Sequence, residues 1–160
     1  MAEPTPPLHP EVAALAGLLG TWRGEGAGEY PTIASFGYGT EVRFWHTGKP
    51  FLAYAQRTWS LDDGRPLHTE TGYWRPKPGG VVEVVLSNPN GIAEVLEGQV
   101  DGGRIELDTT TVATTSTAKE VTALRRRFQL DGDTLAYTLA MAAVGQPLQH
   151  HLSARLHRAG

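Results

Sequence analysis

From Thr21 onward, apolar and polar residues alternate with a period of two over short runs, each closed by a cluster of Gly, Pro, Asn or Asp. Phe36, Tyr38, Val42 and Phe44 alternate with Ser35, Gly37, Glu41 and Arg43, and further on Ile105 and Leu107 alternate with Arg104, Glu106 and Asp108. Because successive side chains of a strand point to opposite faces, this pattern predicts half-buried antiparallel strands. Ten such runs cover 21–29, 34–46, 51–60, 67–76, 81–87, 92–100, 104–113, 120–130, 134–143 and 147–157. One segment departs from it. Pro10 to Gly20 opens with Pro and Glu, closes with Gly, and gathers Val12, Leu15, Leu18 and Leu19 on one face, which predicts a short helix packed on an end of the sheet structure.

The connections are hairpin-sized, as in Thr47-Gly48-Lys49-Pro50, Asn88-Pro89-Asn90-Gly91 and Asp131-Gly132-Asp133, and none has room for a crossover helix. A meander of ten strands removes its edges by closing on itself. The expected fold is therefore all-β: a ten-stranded antiparallel up-and-down barrel of the lipocalin and fatty-acid-binding type, with a short N-terminal helix. A barrel of this size encloses one small ligand without naming it.

The length, 160 residues, predicts a single domain over 1–160, with the Pro-rich residues 1–8 flexible. A net charge of -3, from 14 basic and 17 acidic residues spread along the chain, supplies no basic stripe, so nucleic acid is not an expected partner. The run Arg125-Arg126-Arg127 lies inside an alternating strand, which predicts a solvated face with one Arg near the cavity. With no basic-then-apolar leader and no apolar run of membrane-spanning length, the chain is expected to be soluble, cytoplasmic and off the membrane. The absence of Cys excludes disulfides, thiolate ligands and a Cys nucleophile, so any metal is held by His, carboxylate or Tyr. No Ser-His-Asp order or Gly-x-Ser-x-Gly elbow supports a hydrolase.

Chemistry concentrates in two segments. Gly20, Trp22, Gly24 and Gly26 alternate along the first strand, serving either tight coiling with a Trp plug or the wall of a ligand site. The last strand carries the adjacent imidazoles His150 and His151. His68, in a strand with Glu70, Thr71 and Tyr73, is a further candidate to line the cavity.

Gly20-x-Trp22-x-Gly24-x-Gly26, continuing into Gly28-x-Tyr30-Pro31-Thr32-Ile33, resembles the opening motif of the nitrobindins, small haem-binding β-barrels. Four further segments resemble that family in order: Gly48-Lys49-Pro50-Phe51-Leu52, Leu67 to Tyr73, Ala118-Lys119-Glu120-Val121, and Gln146 to Leu152. The resemblance implies haem b held at one end of the barrel and iron bound through His151. With haem as the expected ligand, Lys119 is a candidate to pair with a propionate, a reading the resemblance supports, Thr32 a candidate wall residue, and His68, Gly20, Trp22, Gly24 and Gly26 candidates to lie around the cofactor. The family's activity would make the chain a peroxynitrite isomerase that also binds nitric oxide.

Alternation alone selects the other imidazole. Leu148, Leu152, Ala154 and Leu156 place His150 with the apolar set and His151 with Gln149, Ser153 and Arg155. Ligation by His151 therefore requires a polar cavity side or a bulge. The alternative function is a carrier of a fatty acid or other apolar molecule, its carboxylate paired with Arg126 or Arg57. Trp45, Trp59 and Trp74 on barrel faces permit a homodimer.

Overall fold

A computed structural model describes residues 3–160. A 3-10 helix, Pro10–Leu18, precedes ten strands: β1 Gly20–Tyr30, β2 Ile33–Trp45, β3 Leu52–Ser60, β4 Pro66–Lys77, β5 Val81–Asn88, β6 Ile92–Asp101, β7 Arg104–Thr114, β8 Val121–Asp131, β9 Thr134–Ala143 and β10 Gln149–Ala159. Each strand pairs antiparallel with its sequence neighbour, and β1 pairs with β10 to close the barrel. The expected fold is the observed one.

The helix differs in kind from the expected one. Val12, Leu15 and Leu18 are its buried residues, a spacing of three that stacks side chains on one edge of a helix with three residues per turn. Leu19 falls outside it as the C-terminal cap. Those three side chains join Trp22, Val42, Phe44, Leu135 and Leu156 in the core and plug one end of the barrel. Trp22 Nε1 donates to Leu18 O at 2.9 Å, and the Arg158 guanidinium lies 4.3 Å over the Trp22 ring.

The expectation that residues 1–8 are flexible includes Met1 and Ala2, which lie outside the described residues. Within the rest of that segment, Leu8 packs against the core and Pro6 faces Gly48 in the β2–β3 turn. Trp74 is a core residue, 1% exposed, and not a surface aromatic as expected. Its strand parity points inward, between Phe44, Tyr54 and Phe128.

Gly24 and Gly26 are packing residues. A Cβ on Gly24 would collide with the Arg155 carbonyl oxygen, and one on Gly26 with Ser153 O and the Tyr38 ring, so the β1–β10 seam closes only over glycine.

Candidate haem site

The cavity opens at the end opposite the helix, where the β1–β2, β3–β4, β5–β6, β7–β8 and β9–β10 turns lie. It encloses about 570 Å³, within the range of small-ligand and cofactor pockets. Its upper walls are largely apolar, with Ile33, Phe36, Leu124, Leu139, Met141 and Leu152.

His151 reaches this wall because β10 is bulged. Gln149 pairs with Met141 and His150 with Ala140, but the next pair is Leu152 with Leu139, so His151 is an extra residue with no partner on β9. The insertion resets the parity. His150 turns out to solvent, while His151 and Leu152 both line the cavity. Alternation places His150 on the inward side because it assumes an unbroken ladder, whereas the bulge puts His151 on the cavity wall.

Two groups from the end of β1 hold the ring. His151 Nδ1 lies 3.0 Å from Glu29 O; since a carbonyl only accepts, Nδ1 carries the proton and Nε2 keeps its lone pair. Tyr30 packs edge-on against the imidazole, centroids 5.3 Å apart. Its hydroxyl donates to Met141 O at 2.9 Å and accepts from Ala143 N at 3.0 Å, tying β1 to β9 across the bulge. Burial holds the His151 pKa below its ordinary 6.5, a shift the Glu29 carbonyl only partly opposes, so the ring is neutral at pH 7.

The cavity floor is a buried polar network that the sequence reading did not assemble. The Arg126 guanidinium is clamped between Glu70, with Nη1 to Oε2 at 2.8 Å, and Glu94, with Nη2 to Oε2 at 2.9 Å. Tyr54 donates to Glu70 at 3.0 Å; Gln56 donates to Thr40 and to Tyr137, each at 2.9 Å; Tyr137 shares a 2.7 Å bond with Tyr38. Burial pushes the Glu70 carboxyl up, but Arg126 and the His68 hydrogen bond pull it further down, so it stays ionised. Arg125 and Arg127 face outward onto Asp108, leaving Arg126 as the one inward Arg of the run, as expected.

His68 lines the cavity, its Nε2 3.1 Å from Asn88 Oδ1 and 3.4 Å from Glu70 Oε1. The other candidates lie elsewhere. Thr32 is exposed in the β1–β2 turn, and Ile33 takes the wall instead. Lys119 is exposed in the loop before β8, two residues from the cavity-lining Val121, and makes no wall contact. Gly20, Trp22, Gly24 and Gly26 belong to the plugged end and the β1–β10 seam, away from the cavity lining. Arg57 is on the outer face, bound to Glu41 and stacked on Trp59.

Among the described residues no group of three or more His, Asp or Glu side chains is placed to hold a bare metal ion. A single neutral imidazole on the apolar upper wall, with His68 engaged by Asn88 and Glu70, instead fits a metal that brings most of its own ligands, which is the donor pattern of a haem pocket. Fold and site together define a cofactor-binding β-barrel open at one end.

The chain belongs to the family of the THAP4-like, heme-binding beta-barrel domain, whose model matches residues 11–158. It is 59% identical over 155 residues to "Peroxynitrite isomerase 2" of Mycobacterium avium, covering 94% of this chain and 96% of that one. It is 55% identical to "Peroxynitrite isomerase" of Nocardia farcinica, covering 99% and 98%. The crystal structure of Rv2717c from M. tuberculosis superposes with a TM-score of 0.91 at 52% identity, covering 96% of this chain and all of that one. The S-type phycobiliprotein lyase CPES from Guillardia theta shares the fold alone, with a TM-score of 0.60 at 12% identity.

Proposed function

We propose that this protein binds ferric haem b through His151 Nε2 and isomerises peroxynitrite to nitrate, and that the same iron binds nitric oxide. The observation that carries the reading is the bulge, which delivers one neutral, carbonyl-oriented imidazole to an apolar cavity wall in a chain of the heme-binding barrel family. The relatives' names supply the reaction. When bound, ferric haem supplies the Lewis acid that activates the weak peroxide bond of the substrate.

The chain's own residues do the rest. Glu29 O fixes the His151 tautomer and its direction, as an outer-shell carbonyl does for a metal-ligating imidazole. Tyr30 keeps the ring from swinging. Phe36, Leu139, Met141 and Leu152 line the cavity and would give a bound haem an apolar surround that excludes water. Isomerisation transfers no net proton, so the site needs no general acid or base.

The carrier reading is disfavoured by Arg126. Its guanidinium is already shared by two buried carboxylates, so a fatty-acid carboxylate would add a further uncompensated charge beside them. The proposal also includes a cytoplasmic setting, no nucleic-acid or membrane partner, and self-association through the outer apolar row Tyr73, Val85 and Val95, which sedimentation velocity reads. No helix of the described chain is long and apolar enough to cross a membrane.

The activity is tested by stopped-flow decay of peroxynitrite with nitrate and nitrite quantified. The expected result is decay that accelerates in proportion to haem-loaded protein, with nitrate yield rising. Decay no faster than with haem-free protein would overturn the proposal.

A further inference from the structure

The barrel wall has a notch between β4 and β5. Their ladder runs from Lys77 opposite Val81 to Thr71 opposite Ser87 and stops there, so Pro66–Glu70 is paired only on its β3 side. That β3 side is irregular as well: the register slips between Thr58 and Trp59, and Trp59 faces Pro66, which has no N–H to give. Among the described residues, the side-chain hydrogen bond that joins Pro66–Glu70 to β5 is the one between His68 Nε2 and Asn88 Oδ1. Asn88 is itself oriented, since its Nδ2 donates to Ile92 O at 3.0 Å and Glu94 Oε2 at 2.9 Å; its Oδ1 therefore faces the imidazole, and Nε2 is the donor.

Outside the notch lies a groove walled by Arg57, Trp59, Thr69 and Pro89. Thr58, Leu67 and His68 line both this groove and the interior cavity. The imidazole, 35% exposed, thus stands between outside and inside, held by Asn88 at 3.1 Å and by the Glu70 carboxylate at 3.4 Å.

We propose that the β4–β5 notch is a side access to the cavity floor for molecules of a few heavy atoms, diatomic gases and small anions, with His68 as its gate. Rotation of His68 away from Asn88 and Glu70 breaks two side-chain contacts and no backbone ladder, so opening is a local event and not an unfolding of the wall. The inference rests on the haem reading. The helix and Trp22 plug one end of the barrel, and His151 stands at the mouth of the other, so a macrocycle held there obstructs the wide route to Arg126, Gln56 and Tyr137 on the floor.

The test is flash photolysis of the carbon monoxide complex of the ferrous, haem-loaded protein, with bimolecular rebinding followed in wild type, His68→Ala, His68→Trp and Thr69→Trp. Thr69 lines the outer groove and not the cavity, so Thr69→Trp blocks the outside of the path without altering the cavity lining. We expect His68→Ala to speed rebinding, and His68→Trp and Thr69→Trp to slow it roughly tenfold, the Soret band of Thr69→Trp matching wild type. Rebinding in Thr69→Trp within about twofold of wild type, with that Soret band intact, would overturn the side access and leave the haem reading standing. A wild type without a Soret band would instead be a failure of the haem reading, visible before any rate is measured.

Discussion

The imidazole that faces the cavity is set by two residues outside its own strand. Glu29 O removes one of the two tautomers, and Tyr30 braces the ring while fastening β1 to β9 through Met141 and Ala143. Removing the Tyr30 hydroxyl leaves the buried Ala143 N–H without its acceptor, so Tyr30→Phe is expected to lower the urea unfolding free energy by about 1–3 kcal/mol. Haem affinity should fall with it, because the ring's support loosens. The burial of His151 sets a pH dependence with a definite sign. Its pKa in the folded protein lies below the ordinary 6.5, so the neutral imidazole that the proposed ligation needs persists as pH falls through 6.5. Soret titrations should give flat haem affinity from pH 8 to about 6.5 and a loss only at lower pH; a loss centred above 6.5 would contradict a buried ligand. At this scale the sequence was partly legible. Arg126, Glu70 and Glu94 sit on the inward parity of their strands, flanked by Leu124 and Phe128, by Gly72 and Trp74, and by Ile92 and Leu96, so their burial together could have been read from alternation. Tyr30 could not, since nothing local marks a hydroxyl that bonds across two strands.

Strand existence and order follow from alternation and turn chemistry, and the observed strands start and end within about two residues of the expected ones. What alternation cannot show is an interruption of the ladder. The β10 bulge at His151 and the early stop of the β4–β5 ladder are both pairing events, and each sets which side chains reach the cavity or its wall. The helix type was legible in hindsight, since Val12, Leu15 and Leu18 repeat every three residues, short of the α-helical 3.6. The β1–β10 seam carries its own prediction. Because a Cβ at Gly24 meets backbone of β10, which has no flexible end to move aside, Gly24→Ala should destabilise the protein by about 1–3 kcal/mol in denaturant unfolding. The fraction that remains folded should still bind haem, as Gly24 lies outside the cavity lining.

The molecule as a whole is a barrel plugged at one end by apolar packing and floored, inside, by charge. Arg126 neutralises one of two buried carboxylates, and removing it leaves both uncompensated, so Arg126→Met should cost about 3–5 kcal/mol in chemical denaturation at pH 7. The depressed pKa of Glu70 adds a stabilising contribution that is complete above the ordinary carboxylate value of 4.5 and is lost as pH falls through its folded value. Unfolding midpoints taken from pH 7 downward should therefore drop less steeply in Glu70→Gln than in wild type, though from a lower start. The fold class is legible in the alternation and the short turns, but the charged floor is a property of closure, which brings β4, β6 and β8 to one interior.

The central proposal is that His151 holds the haem iron. The decisive measurement is a haem titration followed at the Soret band for wild type, His151→Ala and His150→Ala. The bulge geometry predicts stoichiometric binding with a Soret band in wild type and in His150→Ala, and its loss in His151→Ala. A band that survives in His151→Ala but disappears in His150→Ala would contradict the placement of His151 and the account built on it.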